Sequence, residues 1–234
     1  STMRHRAIVS TTRTGRSRGS DRLGIDVGDA ESHRGMSEVL EALAPDPSLF
    51  EEVASAECMW WGRIFSVDLL DVELSDGSHG RREIVRHRGG AGVIAIRNGR
   101  VCLVRQYRVA LGRVTVEIPA GKLDEGEDGT TCAARELLEE TGLHAETLEP
   151  LVTTIGSPGF TSEHTEVFLA RGLSQDAAAP DEGELVGTVW LPVDEVVAAI
   201  RAGVIQDAKT VAGVLAALID APSVPDGERD RLLL

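Results

Sequence analysis

Gly121, Glu127, the run Arg135-Glu136-Leu137-Leu138-Glu139-Glu140 and Gly142-Leu143 follow the spacing G-x5-E-x7-R-E-U-x-E-E-x-G-U, where U is a bulky aliphatic residue. On a helix Glu136 and Glu140 lie one turn apart and Glu139 three residues from Glu136, so three carboxylates crowd one face. Anions that close repel, and a hard dication relieves the repulsion. Mg²⁺, with Mn²⁺ as an alternative, takes a few carboxylate oxygens, keeps several waters and draws its remaining ligands from substrate phosphates. Glu136, Glu140 and Glu139 are therefore candidate metal ligands. Arg135 is placed to orient the acids by bidentate pairing, and Glu127, in the loop before the helix, either pairs with Arg135 or faces the metal. Ala134, Leu138 and Thr141 form the face expected to pack on a sheet, which leaves Glu140 exposed; Cys132 reads as packing. A Glu-rich helix is ordinarily a solvated surface. The loop context argues otherwise, since a chance match to the full pattern has a probability below about one in a million at average residue frequencies.

The elements that must hold these acids are legible around them. Thr130 to Thr141 reads as a helix closed by Gly142, preceded by a Gly- and acid-rich loop from Pro119 to Gly129 and a strand from Val114 to Ile118. Upstream, Gly92 to Ile96 and Val101 to Gln106 are apolar strands joined by Asn98-Gly99, a strong hairpin signal. Arg63 to Leu74 and Arg82 to Val85 form another hairpin around Asp76-Gly77. Residues 37 to 43 and 48 to 55 read as short helical pieces parted by Pro45 and Pro47. Downstream, Thr165 to Ala170 and Thr188 to Leu191 are strands, while Val193 to Arg201 and Lys209 to Ile219 are helices.

Composition narrows the function class. At 234 residues the chain is long enough for one well-buried domain with a smaller accessory unit. A formal charge of −14 argues against nucleic-acid binding through neutralised phosphates, though an acidic protein binds a phosphate ligand when a divalent metal stands between them. No apolar run approaches the roughly 18 residues of a membrane span, so no membrane partner is expected. Three widely spaced cysteines, Cys58, Cys102 and Cys132, suggest neither a disulfide framework nor a zinc site and fit a reducing cytoplasm. Residues 1 to 35 carry seven arginines and no acid before Asp21. They resemble a transit peptide in composition but lack an apolar stripe, and a loosely docked extension is expected. The expected organisation is an extension over 1–48, a small β subdomain over 49–90, a catalytic domain over 91–220 and a tail over 221–234.

The spacing from Gly121 to Leu143 resembles the Nudix box. From about residue 56 to 220 the chain resembles the ADP-ribose pyrophosphatase branch of that family, through Gln106-Tyr107-Arg108, Glu117-Ile118-Pro119-Ala120-Gly121, Ser157-Pro158-Gly159-Phe160-Thr161 and Ile205-Gln206-Asp207-Ala208-Lys209-Thr210. The resemblance implies an α/β/α sandwich with a mixed sheet, and a homodimer built by exchange of the small N-terminal β subdomain. It also implies a backbone carbonyl near Ala120 as a further metal ligand, and Pro158 as the mark of ADP-ribose preference. The implied activity is metal-dependent hydrolysis of a nucleoside-diphosphate sugar, with ADP-ribose giving AMP and ribose 5-phosphate. Another nucleotide sugar, a dinucleotide or an oxidised nucleotide are alternative substrates; a nucleotide-sensing module without activity is the alternative of another class. Arg105 and Arg108 are candidate phosphate clamps, against a solvent-exposed alternative. Trp60 and Trp61 either stack on the base across the dimer or serve an interface or core. Glu163, in a Gly-containing loop able to close over substrate, is the candidate general base, with Glu166 on the following strand as the alternative. The run His87-Arg88-Gly89-Gly90-Ala91 departs from the family's more compact His-x-Gly-Ala.

Overall fold

The computed structural model describes residues 38–175 and 185–219. Most of the expected N-terminal extension, and the expected C-terminal tail, lie outside the described residues. The chain divides between Leu49 and Phe50. Ahead of that point residues 38–42 are helical and Pro47–Leu49 form one 3₁₀ turn. The helix expected over 48–55 is absent: strand β1 (Glu51–Trp61) occupies its place. The Glu- and Ala-rich composition of 51–57 favours a helix locally. The run instead pairs antiparallel with β2 (Phe65–Leu74), from Glu51 opposite Leu74 to Trp61 opposite Ser66. Cross-strand pairing therefore outweighs the local preference. Strand β3 (His79–His87) completes the order β1-β2-β3, and the β2–β3 turn uses Gly77 at φ +79° as the Asp76-Gly77 signal requires.

The second sheet has seven strands. Its main order is β12-β5-β4-β10-β9, with β6 added to β5 and β7 to β4. The strands are β4 (Gly90–Arg97), β5 (Arg100–Arg108), β6 (Arg113–Glu117), β7 (Ala120–Lys122), β9 (Thr147–Ile155), β10 (His164–Arg171) and β12 (Val186–Pro192); β8 (Leu143–His144) and β11 (Ser174–Gln175) pair separately. The sheet is mixed, because β4 and β10 run parallel while their other pairings are antiparallel. The β4–β5 hairpin closes through Asn98 and Gly99, both at positive φ. Besides β1, the sequence does not announce the two-residue strands β8 and β11, nor β7 and β9. Strand β7 lies inside the expected loop, and β9 carries Pro150, which a sheet tolerates only at an edge such as the one β9 forms.

Side-chain alternation sends the two sheet faces to separate cores. Ala91, Val93 and Ala95 of β4, with Cys102, Phe168 and Ala170, bury against helix α1 (Gly129–Thr141) through Cys132, Ala133 and Leu137. Ile94, Val101, Leu103 and Val167 face helices α2 (Val193–Arg201) and α3 (Ala208–Ala217) through Val196 and Val214. Gly213 lets α3 approach closely, since a Cβ there would stand 2.9 Å from Ile94 Cδ1. The result is an α/β/α sandwich. The buried face of α1 differs from the expected one: Ala134 is exposed and Leu138 half-buried, while Cys132, Ala133, Leu137 and Thr141 are buried. A shift of one residue turns a helix by about 100°. It carries Glu140, expected on the exposed side, into a position only 6% exposed.

Candidate active site

The box helix is fixed at both ends. Asp128 caps its start by accepting from Thr131 N at 3.0 Å and Thr131 Oγ1 at 2.7 Å. Gly142 ends it at φ +71°, its N–H donating to Leu138 O. Before it, β7 lies on β4 with Ala120 opposite Gly92 and Gly121 opposite Ala91, which brings the box loop onto the sheet. A Cβ at Gly121 would sit 1.8 Å from Glu136 Oε1, so a side chain there would displace that carboxylate from its present position.

Arg135 organises the acids. Its Nε and Nη2 donate to the two oxygens of Glu127, both at 2.9 Å, and its Nη1 donates to Glu136 at 2.6 Å and Glu139 at 3.1 Å. Of the two places open to Glu127, the structure shows the pairing with Arg135. That hydrogen bond holds the Glu127 carboxyl below its usual range, and the same bonds push the guanidinium pKa up. Glu140 Oε2 accepts from Ala120 N at 2.9 Å, so the loop backbone and the buried carboxylate meet directly.

Ala120, Arg135, Glu136 and Glu140 line a cleft of about 330 Å³. Glu136, Glu140, Ala120, Gly121 and Asp124 bring acid and backbone oxygens to it, and Arg108, Lys209, Lys122 and Arg135 bring positive charge. Among the described residues no three His, Cys, Asp or Glu side chains stand close enough to encage an ion by themselves. The donor set still fits a hard cation of the Mg²⁺ type, which takes few protein carboxylates and completes its shell with water and phosphate oxygens. Residues Glu136 and Glu140, with the Ala120 backbone, would hold it.

The cationic wall rests on Glu117, whose side chain is only 5% exposed. Arg108 donates to both its oxygens at 2.8 Å and Lys209 Nζ donates at 2.6 Å. Burial alone would raise the Glu117 carboxyl; the Arg108 and Lys209 contacts outweigh it and lower it to about 2. Asp207 also accepts from Lys209, at 2.9 Å, and caps α3 through Thr210 N at 3.0 Å. Both cations are thereby fixed at the cleft rather than swinging in solvent.

The cleft thus gathers Arg108, Ala120, Arg135, Glu136, Glu140 and Glu163. Glu127 and Glu139 adjoin it through Arg135. Arg105 is not among its lining residues. It alternates with Val104 and Gln106, shares a strand face with Leu103, and is exposed. Strand parity puts Arg105 on the face opposite Gln106 and Arg108, which do line the cleft. Trp60 packs on Phe65 with ring centroids 5.0 Å apart, and Trp61, 79% exposed, lines a neighbouring cavity that shares Ile64 and His87 with the cleft. Pro158 lies in a turn in which Phe160 N donates to Ser157 O at 3.1 Å. The sequence reading gave no role to Glu117, Lys209, Gln106 or His87. Strand parity would have found Gln106, whereas the Glu117–Lys209 pair joins residues 92 positions apart and left no local signal.

A mixed sheet between helix layers, with an acidic helix and a cationic wall facing one cleft, defines an α/β/α domain built around an acid-lined site. Residues 86–213 match the NUDIX domain family model. The chain belongs to the Nudix family and is a Nudix hydrolase of the ADP-ribose pyrophosphatase-like branch. It is 38% identical over 166 residues to an ADP-ribose pyrophosphatase of Bacillus subtilis (strain 168), covering 70% of this chain and 90% of that protein. It is 45% identical over 170 residues to a methanol dehydrogenase activator of Bacillus methanolicus, covering 71% and 92%. A solved structure of an ADP compounds hydrolase shares the fold with a TM-score of 0.65 at 24% identity, over 73% of this chain and 94% of that one. Among the described residues no helix is long and apolar enough to cross a membrane.

Proposed function

We propose that this hydrolase cleaves the diphosphate of a nucleoside-diphosphate sugar, with ADP-ribose as the preferred substrate and AMP and ribose 5-phosphate as products. The observation that carries this reading is the presence, in the lining of one cleft, of Glu136 and Glu140 together with Arg108 and Lys209. A diphosphate fits between them when a divalent cation neutralises its contact with the acids. Mg²⁺, or Mn²⁺ in its place, would supply an activated water and offset charge on the phosphate oxygens. The chain does the rest. Arg108 and Lys209 hold phosphate oxygens, Arg135 keeps Glu136 and Glu139 oriented, and Glu163 accepts the proton of the attacking water. The cavity beside Trp61 is offered to the base. Its pyrophosphatase relatives, at 38% identity, support the substrate assignment. Initial rates with Mg²⁺ on ADP-ribose, GDP-mannose, UDP-glucose and NADH side by side test it. The expected result is the highest kcat/KM on ADP-ribose; a higher value on any other member of the panel overturns that preference.

The same reading makes the protein a homodimer in a reducing cytoplasm, without a nucleic-acid or membrane partner, and gives the strands of 49–90 the part of the dimer arm. Strand β1 supports this, being an eleven-residue edge strand exposed throughout and presenting Val53, Met59, Trp60 and Trp61 to solvent. Exposed apolar edges of that length are pairing surfaces. Light scattering is expected to give the mass of two chains, and a monomer cleaving ADP-ribose at full rate would refute the arrangement.

A further inference from the structure

The loop that carries Glu163 is laced to the small sheet. Val85 N, on β3, donates to Phe160 O at 2.7 Å, and Ser162 N donates back to Val85 O at 3.0 Å. Val85 and Thr161 form a parallel bridge. One hydroxyl then closes the seam: Ser162 Oγ accepts from His87 N at 3.0 Å and donates to His87 O at 3.2 Å, serving both backbone groups of a single residue. His87 is itself pinned, its Nδ1 accepting from Gly89 N at 2.9 Å. Gly89 holds φ +92°, and a Cβ there would stand 2.5 Å from the His164 ring. Residues 85–89 and 160–164 therefore interlock, and the loop expected to be free to close is held against β3.

Glu163 follows Ser162 directly and lines the cleft. Among the described residues no hydrogen bond or ion pair holds its carboxylate; the bond it makes is from its backbone N to Thr161 Oγ1 at 3.0 Å. The position of that carboxylate is thus inherited from the backbone, and the backbone is set by the seam. A clamp one residue away, made to both polar groups of His87, is the contact that transmits the placement of β3 into the cleft.

We infer that Ser162 is a positioning residue, its hydroxyl fixing Glu163 in the cleft by clamping the catalytic loop to His87 of β3. The inference rests on the proposed role of Glu163, and the experiment separates the two. Steady-state kinetics on ADP-ribose with Mg²⁺ are measured for Ser162→Ala, Ser162→Thr, Glu163→Gln and the double variant Ser162→Ala/Glu163→Gln, with amide exchange at Val85 and His87. Small displacements of a reacting group cost rate steeply. Ser162→Ala is expected to lower kcat about tenfold with KM within about twofold. Ser162→Thr, which keeps the hydroxyl, restores most of the rate. Exchange at the His87 amide quickens in Ser162→Ala, and in the Glu163→Gln background the Ser162 change adds no further loss. A Ser162→Ala variant at full kcat beside a slow Glu163→Gln overturns the clamp and leaves the base assignment standing. Equal losses from Ser162→Ala with and without Glu163 also overturn it, because the hydroxyl then acts through another group. A Glu163→Gln variant at full rate overturns the base assignment, and with it any action of Ser162 through that residue.

Discussion

Glu140→Gln is expected to lower turnover about a thousand-fold, the scale of losing a ligand that supports several kcal/mol of charge stabilisation, with little change in Tm. The carboxylate is 6% exposed and its Oε2 accepts from Ala120 N. A glutamine has the same length and keeps a carbonyl oxygen for that bond, so no cavity opens and no backbone donor is orphaned. What disappears is the negative charge and the second anionic oxygen at the cleft. Removing one of several crowded carboxylates also relieves repulsion, which opposes any loss of stability. The burial of Glu140 makes the result sharper than a surface position would. The buried carboxylate is held in one place by accepting from Ala120 N, and solvent cannot substitute for it. Initial rates across a Mg²⁺ titration, with thermal melts in the absence of metal, provide the test. Near-wild-type turnover at saturating Mg²⁺ would remove Glu140 from the ligand set.

The parts of this site that were legible beforehand are those whose physics is local. Asn98-Gly99 announces its hairpin because both residues accept positive φ, and Gly142 announces the end of α1 for the same reason. Helix α2 ran from Val193 to Arg201 as expected, with Asp194 and Glu195 in its first turn and Arg201 in its last, matching the helix dipole. The spacing of Arg135, Glu136, Glu139 and Glu140 was equally local. The illegible parts depended on partners far along the chain. The composition of β1 favours a helix, and only β2 makes it a strand. The buried face of α1 was misplaced by one residue because Ala133 and Ala134 are chemically identical and only the sheet distinguishes them. Arg105 and Arg108 looked equivalent until strand parity placed one on each face. Glu117 is an ordinary strand acid until Arg108 and Lys209 surround it.

Glu163→Gln is expected to reduce kcat by about 10²-fold or more, the usual size of a lost general base, with KM less affected. The argument is one of availability. Glu136 already accepts from Arg135 at 2.6 Å and Glu140 from Ala120 N at 2.9 Å, and a cation held on their remaining oxygens would lower their basicity further, which makes both poor proton acceptors. Glu163 lines the same cleft while, among the described residues, no hydrogen bond or ion pair occupies its carboxylate. Glu166 is placed differently. Its oxygens lie 2.6–2.8 Å from where a Gly129 Cβ would stand, against the first turn of α1, and it is not among the residues lining the cleft. The positive end of that helix favours a carboxylate in such a position for structural reasons alone. Rates of Glu163→Gln and Glu166→Gln on one substrate decide between them. A loss under about threefold in the first with near-complete loss in the second would move the base onto β10, and full activity in both would mean that the attacking water needs no base from either residue.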